Sequence, residues 1–330
     1  MPMSPYTDIS KKELRELFMQ LSSLHILVVG DLIIDNYIWG SVNRISPEAP
    51  VPVIQITKKE YRLGGAGNVA ANLAGLGTRV TLAGSCGDDG FEKTIAELCQ
   101  KAAIEPLLQT SAQRNTTLKS RIIAQHQQLL RIDEENCTPL VESETGALFR
   151  MISRNSDRYD GVIISDYNKG LLTLSFTSDI IRHFQRKPLI VDPKSNDFSK
   201  YRGATALKPN RKEFANAIRQ PDLTDDEIEY YSKKLVADIN LNGLVITLGE
   251  QGVFVLDNQQ KSMLVPTKAR EVFDVSGAGD TFIATFLVAL IISNDWFTAA
   301  KAANLASGVV VGKVGTATVT PAEIFAAYDL

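Results

Sequence analysis

The sequence predicts an α/β protein built on a doubly wound, mostly parallel β-sheet that is flanked by helices and carries a small β-sheet lid. Short, near-continuous apolar runs recur along the chain and are typical of strands buried on both faces. Helical patterns separate several of these runs. Two further strand-like segments, residues 37–61 and 117–133, stand outside this alternation and are the predicted lid. We expect residues 1–330 to form one domain.

The strands and helices of the predicted main domain follow one another in chain order. Ser10 and Glu13 have the spacing of a capping box before a first helical pattern. The predicted strands are the apolar runs His25–Asp31, Val80–Ala83, Gly161–Ser165, Pro188–Val191 and Leu244–Leu248. The predicted helices are Ala66–Leu76, Phe91–Ala102, Val141–Arg154, Leu174–Arg186, Asp225–Ile239, Phe282–Ile292 and Trp296–Val311.

The two lid segments have no helix of their own to cover one face of the sheet they form. Residues 37–61 are strand-like but contain Pro47, Pro50 and Pro52, which confine such a segment to edges or bends. Residues 117–133 are predicted to form a hairpin with a polar tip at residues 125–127. Alternating apolar residues predict an uncovered apolar face, so we expect a homodimer that forms through two lids.

Composition excludes several classes of protein. The chain is 44% hydrophobic and 22% charged, as in ordinary globular proteins, and its net charge of −3 without basic runs argues against nucleic acid as a partner. Cys86, Cys99 and Cys137 lack metal-ligand spacing and are expected to be free thiols in a reducing compartment. No secretory pattern opens the chain and no apolar run approaches the ~20 residues of a membrane span, so we expect a cytoplasmic protein without a membrane partner.

The block Asp274–Phe282 carries the strongest chemical signal. It lies between a strand-like segment, residues 269–273, and a predicted helix. Gly277, Ala278 and Gly279 have little or no side chain, so the helix start is open to an oxyanion or a phosphate. Asp280 would repel that phosphate unless its task is to take a proton from an attacking hydroxyl group. The arrangement therefore favours phosphoryl transfer to an alcohol.

A second glycine-rich helix start occurs at residues 64–70. Such a start is also found in dinucleotide-binding oxidoreductases, but the strand before it contains Lys58, Lys59 and Glu60, and no acidic residue follows at the required distance. The dinucleotide alternative is therefore disfavoured. The residues at this helix start that suit contacts to sugar hydroxyl groups are Gly64, Gly65 and Asn68.

Acidic and basic residues follow several of the predicted strands. Asp35 comes shortly after the first strand, Asp166 and Lys169 follow a later one, and Lys194 follows the next. Ligands of open α/β sheets bind beyond the carboxyl ends of the strands, so these residues predict a common cleft. The alternative interpretation is a set of solvated turn acids and surface ion pairs.

Two motifs suit a nucleotide less specifically. Thr247, Gly249 and Gly252 form a strand end and a turn that would let backbone approach a nucleotide. Asn210 and Glu213 by themselves read as a helix cap with its capping-box partner, which needs no ligand. The three histidines are scattered, so neither a metal site nor a catalytic triad is supported.

Together these motifs resemble the ribokinase-like (phosphofructokinase-B) family of carbohydrate kinases, whose two signatures match the Gly64–Gly87 spacing and the Asp274–Phe282 block. Within it the chain resembles the D-glycero-β-D-manno-heptose 7-phosphate kinases of lipopolysaccharide core synthesis. This resemblance covers nearly the whole chain, and its segments are Arg44–Val53, His126–Asp133, Ser165–Gly170, Asp192–Lys194, Tyr201–Thr205 and Val309–Lys313 with Gly315 and Thr316. Leu63 and Gly67 depart from residues common in that group.

The resemblance implies a role for each candidate residue. Asp280 matches the catalytic base, and Gly277, Ala278 and Gly279 match the anion hole. Asn210 and Glu213 match an element that places ATP phosphate and Mg²⁺, which replaces the interpretation as a cap alone. Nucleotide contacts are implied at Thr247, Gly249, Gly252 and Asn304. Sugar-binding positions are implied at Asp35, Gly64, Gly65 and Asn68. Asp274 and Ser276 fall where relatives bind a monovalent cation such as K⁺.

The implied reaction is ATP-dependent phosphorylation of the heptose 7-phosphate at O1, giving the 1,7-bisphosphate for ADP-heptose synthesis. The distal phosphate needs a second anion site, for which the candidates are Lys169, Lys194, Arg44 and Arg121, with Asp166 nearby. The alternatives are a related kinase of another sugar or sugar phosphate and a non-catalytic sugar-phosphate sensor. Many relatives continue into a nucleotidyltransferase domain, so a chain that ends at Leu330 is expected to be the kinase alone.

Overall fold

The computed structural model describes residues 6–125, 127–267, 274–313, 315 and 317–328, and the strands of this part of the chain form two sheets. The strands are β1 (His25–Gly30), β2 (Leu32–Ile45), β3 (Pro52–Gly65), β4 (Arg79–Gly87), β5 (Ile104–Ser111), β6 (Thr117–Ala124), β7 (Gln127–Glu134), β8 (Gly161–Ser165), β9 (Leu189–Asp192), β10 (Ala206–Leu207), β11 (Gly243–Thr247), β12 (Val253–Leu256) and β13 (Ser262–Val265). The helices are α1 (Lys11–Met19), α2 (Ala66–Gly75), α3 (Phe91–Lys101), α4 (Glu142–Ser153), α5 (Leu174–His183), α6 (Arg211–Ala217), α7 (Asp225–Asp238), α8 (Ala278–Ser293), α9 (Trp296–Val310) and α10 (Pro321–Tyr328).

The main sheet has the strand order β13-β12-β11-β10-β9-β8-β1-β4-β5. Its strands are parallel from β5 to β11, whereas β12 and β13 are antiparallel. Alternate residues of β1 enter different cores: Ile26 and Val28 pack with α2, α8 and α9, and Leu27 and Val29 pack with α4 and α5. Helices therefore cover both faces, which confirms the predicted doubly wound sheet.

Each predicted strand and helix that lies in the described residues is present, with boundaries that shift by a few residues. Helix α8 begins at Ala278 rather than Phe282, because Gly277 takes up a left-handed conformation and starts the helix inside the glycine motif. Strands β5, β10, β12 and β13 escaped prediction, since β5 is a half-exposed edge strand that contains Pro106, β10 has only two residues, and β12 and β13 have four residues each. The predicted strand at residues 269–273 lies outside the described residues.

Strands β2, β3, β6 and β7 form the predicted lid, in the order β3-β2-β6-β7. The β2–β3 and β6–β7 pairs are antiparallel, and the central β2–β6 pair is parallel. Pro47 and Pro50 lie in the turn between β2 and β3, and Pro52 is the first residue of β3, so none interrupts the ladder. His126, in the predicted hairpin tip, lies outside the described residues.

Two further expectations bear on this fold. The cysteines are free thiols, as predicted; Cys86 and Cys99 are buried and Cys137 is exposed. No helix in the described part of the chain is long and apolar enough to cross a membrane.

Candidate active site

The first turn of α8 forms the centre of the site. Gly277 caps this helix with φ at 83°, a conformation that glycine adopts without strain. Among the described residues no side chain caps this helix start through a hydrogen bond, so the positive end of the helix dipole is open to an anion there. Gly277, Ala278 and Gly279 thus have the geometry of an anion site, and their contact with a phosphoryl group stays a prediction.

Asp280 is buried in this first turn, and groups from two distant parts of the chain hold its carboxylate. The Asn68 side-chain amide donates to Oδ2 at 2.6 Å, and the Tyr167 hydroxyl donates to Oδ1 at 2.9 Å. Burial and the nearby Asp192 carboxylate raise the pKa of Asp280 from 3.8 to about 6, although both hydrogen bonds and Lys208 act in the opposite direction. A general base works best when its pKa lies near the working pH, so a raised pKa is consistent with the predicted role of Asp280, which stays a prediction.

The predicted sugar-binding residues form one wall next to Asp280. Strand β3 runs directly into α2 through Gly64 and Gly65, and α2 carries Asn68 in its first turn. A Cβ atom on Gly64 would lie 2.6 Å from Oδ2 of Asp35, so only glycine lets this buried carboxylate approach the backbone. Arg121 forms an ion pair with Asp35 across the β2–β6 pair. The structure therefore brings these five residues together.

The loop after β8 positions Tyr167, and Asp31 organises that loop. The Asp31 carboxylate is buried and accepts backbone N–H groups of Tyr167, Lys169 and Leu171 at 2.9, 3.1 and 3.3 Å. Burial raises the pKa of Asp31, and the three hydrogen bonds favour its ionised form. Asp31 is thus a positioning residue for the side chain that orients Asp280.

Asp166, a predicted substrate ligand, is bound within the protein. Its carboxylate accepts from the Tyr201 hydroxyl at 2.6 Å and the Asn168 N–H at 2.7 Å, and it pairs with Lys200 at 2.5 Å. These contacts hold the loop from its other side. A contact of Asp166 with substrate stays a prediction.

Charged residues at the ends of β9 and β10 form a second wall. Asp192 lies 3.1 Å from the Lys208 ammonium, with the two side chains only 6% and 5% exposed. Lys194 pairs with Glu213, and burial alone would lower the pKa of Lys194, but the Asp192, Glu213 and Asp280 carboxylates raise it. The Lys194 ammonium also lies 5.9 Å from the centre of the Tyr167 ring.

Lys208 also borders the anion site. A Cβ atom on Gly279 would lie 3.3 Å from the Lys208 Nζ, which places this ammonium beside the first turn of α8. The sequence placed Asp192 with Lys194 in the predicted cleft but gave no role to Asp192, Tyr167 or Lys208. The available signal for Tyr167 and Asp192 was their position at the carboxyl ends of predicted buried strands, whereas Lys208 follows β10, which was not predicted.

The predicted nucleotide side lies along β11 and the turn after it. Asn210 and Glu213 form the predicted capping box: the Asn210 side chain accepts from the Glu213 N–H at 2.9 Å, and Glu213 accepts from the Asn210 N–H at 2.8 Å. Thr247, at the end of β11, pairs with Asn210 through the backbone. Gly252 has φ at 103°, and a Cβ there would lie 2.0 Å from the Val265 carbonyl oxygen, so the turn requires glycine. Gly249 lies in the same turn.

The other predicted positions lie around this centre. Asn304 in α9 donates to the Pro266 carbonyl at 2.9 Å, beside a cavity that Tyr6 and Lys301 also line. The Asp274 carboxylate accepts from the N–H groups of Ser276 at 2.8 Å and Gly315 at 3.0 Å. No group of three or more His, Cys, Asp and Glu side chains in the described residues is placed to hold a metal ion.

Two predicted cations stand apart from the centre. Lys169 pairs with Glu135 at 2.7 Å, at the base of the lid. Arg44 is exposed near the end of β2, nine residues from Asp35, which is roughly 30 Å along an extended strand. The structure does not bring Arg44 together with the other site residues of the same chain.

Comparison with known sequences identifies relatives over most of the chain. Residues 23–323 match the family model described as pfkB family carbohydrate kinase. The chain is 40% identical over 326 residues to the bifunctional protein HldE of Trichlorobacter lovleyi, covering 98% of this chain and 66% of that protein. It is 43% identical over 305 residues to HldE of Campylobacter curvus, covering 91% and 64%. The chain thus spans slightly under two thirds of the length of these curated relatives.

Comparison with solved structures gives the same fold. Phosphofructokinase-2 of Escherichia coli in complex with potassium superposes with a TM-score of 0.76 at 18% identity, covering 93% of this chain and 98% of that one. Ribokinase of Thermotoga maritima superposes with a TM-score of 0.72 at 19% identity, covering 93% and 100%. These similarities confirm the predicted ribokinase-like fold.

Proposed function

The chain belongs to the pfkB family of carbohydrate kinases, and on that premise we propose that it transfers the γ-phosphoryl group of ATP to O1 of D-glycero-β-D-manno-heptose 7-phosphate. The observation that carries the proposal is the buried Asp280 carboxylate at the uncapped N-terminus of α8, beside the Asp35–Asn68 wall. The motifs of heptose 7-phosphate kinases along the sequence, and identity of about 40% to bifunctional HldE proteins, support the choice of sugar.

In the proposed reaction Asp280 accepts the proton of the sugar hydroxyl. The hydroxyl oxygen forms a bond to the γ-phosphorus, the bond from that phosphorus to ADP breaks, and the proton stays on Asp280 until solvent removes it. Asn68 and Tyr167 fix the direction of the carboxylate, because each of its oxygens accepts one of their hydrogen bonds. The open N-terminus of α8 stabilises the charge on the transferred group.

Mg²⁺ that accompanies ATP usually keeps several waters and binds one or two carboxylates in addition to phosphates. The Glu213 carboxylate, held at the start of α6, fits that requirement without an all-protein metal cage. When bound, the ion neutralises charge that develops on the β- and γ-phosphate oxygens. Lys194, the ion-pair partner of Glu213, is therefore proposed to serve ATP rather than the sugar.

Basic residues in and near the lid favour the proposal that the substrate already carries a phosphate. Lys119 neighbours Asp35 in the β2–β6 register and is half-buried. The nearby carboxylates are already engaged, Asp133 with Arg131 at 2.9 Å and Glu135 with Lys169 at 2.7 Å, and Lys119 itself has no ion pair in the described part of the chain. Burial lowers the pKa of Lys119, and Asp133 offsets this only in part. A phosphate bound between Lys119 and Lys169 would stabilise both cations.

Apolar residues on the lid face turned away from Asp35 favour the proposal that the protein is a homodimer. Register pairs place Ile38, Ile122 and Leu130 side by side on the face turned away from Asp35, and Ile132 lies two residues further along. Leu130 is 54% exposed, Ile132 is 44% exposed, and Ile56 in β3 is 50% exposed. An apolar surface of this kind is typical of an interface, so we propose that two lids pack face to face.

We further propose that a monovalent cation such as K⁺ binds at Asp274 and Ser276, beside the anion site at the start of α8. Asp274 already ties the residues before α8 to Gly315, and the E. coli phosphofructokinase-2 structure contains potassium. The reaction would take place in the cytoplasm, where ATP is available.

The experiment that tests the proposed function measures ATP turnover against a panel of phosphorylated and unphosphorylated sugars. We expect heptose 7-phosphate to have the highest kcat/KM and the product to carry a new phosphate at O1. The variant Asp280→Asn should lose about 10²–10⁴-fold or more in turnover while it still binds ATP. A higher kcat/KM for another sugar would assign a different kinase of this family, and turnover within tenfold of wild type would remove Asp280 as the base.

A further inference from the structure

We propose that Lys208 is a catalytic residue that contacts the transferred phosphoryl group directly, from the Gly279 side of the anion site at the start of α8. This inference rests on the proposed function only in requiring that a phosphoryl group enters the anion site. Lys208 follows β10 and precedes α6, so it is fixed between a strand of the main sheet and the predicted nucleotide site.

The position of the ammonium is the first argument. Lys208 is 4% exposed, and its Nζ lies 3.3 Å from the point that a Cβ of Gly279 would occupy. Gly279 is the second residue of α8, next to Asp280. An anion at the open helix start would therefore have the helix dipole on one side and a positive side chain on the other.

The unused bonding capacity of Lys208 is the second argument. A lysine ammonium carries three donors. Asp192 is its one ion-pair partner among the described residues, at 3.1 Å, in an alignment that leaves Oδ1 of Asp192 buried without a hydrogen bond. Donors of Lys208 thus remain for an oxygen of a bound phosphoryl group.

Stability alone gives no reason to bury this pair. Replacing a buried ion pair by apolar residues is often neutral or stabilising, so buried pairs are weak contributors to folding. At an active site, however, a desolvated cation is a fixed donor that needs no reorganisation when charge develops on the phosphoryl oxygens. Asp192 keeps that cation in place and balances its charge before ATP binds.

The alternative role for Lys208 is purely structural: it would neutralise Asp192 and nothing more. A double-mutant cycle with Asp192→Asn, Lys208→Met and the double variant separates the two roles. If Lys208 only neutralises Asp192, adding Lys208→Met to Asp192→Asn removes a superfluous charge and should leave turnover within tenfold. If Lys208 contacts the phosphoryl group, the same step should cost about 10²–10³-fold in kcat.

The readout that does not depend on turnover is ADP binding with and without aluminium fluoride, which mimics the transferred phosphoryl group. In the Asp192→Asn background, Lys208→Met should leave the Kd for ADP within about threefold and abolish the gain in affinity that aluminium fluoride produces. Retention of that gain, or turnover within tenfold, would overturn the proposal. Thermal unfolding checks that the double variant is folded, because the variant without either charge avoids an unpaired buried ion.

The cycle is measured with whichever sugar the wild-type protein phosphorylates. If heptose 7-phosphate is not that sugar, the proposed function fails while the Lys208 cycle remains decisive. If heptose 7-phosphate is turned over and the cycle shows no cost, only the role of Lys208 fails.

Discussion

The raised pKa of Asp280 predicts that removing its charge stabilises the folded protein. In Asp280→Asn the side chain keeps its shape and cannot ionise. Raising the pKa from 3.8 to about 6 means that the folded state binds a proton more tightly than the unfolded state. Each pKa unit is a tenfold change in proton affinity and corresponds to about 1.4 kcal/mol. Ionised Asp280 therefore destabilises the folded protein by about 3 kcal/mol above pH 6.

The hydrogen bonds of Asp280 reduce this gain. An amide presents one acceptor and one donor group where the carboxylate accepts from both Asn68 and Tyr167. Loss of one such bond costs about 1 kcal/mol, so the net gain for Asp280→Asn is about 2 kcal/mol at pH 8. The sign follows from the raised pKa: the wild-type penalty is absent below about pH 4, grows between about pH 4 and pH 6, where Asp280 ionises in the unfolded chain but stays protonated in the folded protein, and is complete above about pH 6.

The assay is urea unfolding of wild type and Asp280→Asn at pH 5 and pH 8. The difference in free energy of unfolding should increase by about 1.4 kcal/mol in favour of the variant between these two pH values. Asp35→Asn is the contrasting variant, since it leaves Arg121 without its carboxylate and should destabilise the protein at both pH values. A difference for Asp280→Asn that is zero or negative at pH 8 and independent of pH would refute the reasoning.

Four further outcomes are expected. The kcat/KM of wild type should fall below about pH 6 as Asp280 takes up a proton, and Asp192→Asn should move this limb to lower pH because it removes a charge that raises the pKa; an unmoved limb would exclude coupling of the two acids. Lys169→Ala and Lys119→Ala should lower kcat/KM for heptose 7-phosphate far more than kcat/KM for the same sugar without its phosphate. Equal losses for the two sugars would show that these lysines do not bind the 7-phosphate. Leu130→Glu should convert a dimer into a monomer in sedimentation at micromolar concentration, whereas a monomeric wild type would contradict the lid interface. Replacing K⁺ by a bulky organic cation should lower turnover, and unchanged turnover would remove the cation site.

The sequence by itself determined the features that depend on local physical chemistry. Strands buried on both faces of a parallel sheet consist of near-continuous apolar runs, so β1, β8 and β11 can be recognised in the sequence. Glycine at a helix start marks a backbone that has to accept close approach or a left-handed φ, so the Gly277 and Gly64 motifs were recognisable without coordinates. The capping box at Asn210 depends on residues three apart and was equally predictable.

Only the tertiary structure decided which side chains meet. Asn68 and Tyr167 reach Asp280 across 212 and 113 residues of sequence, and no local pattern encodes such contacts. The same holds for Lys208, which is one lysine among many until β10 and α8 place its ammonium beside Gly279. The pKa of Asp280 is a property of burial and of Asp192, and both arise only when the chain folds, because the interaction of charges depends on distance and dielectric rather than on sequence order.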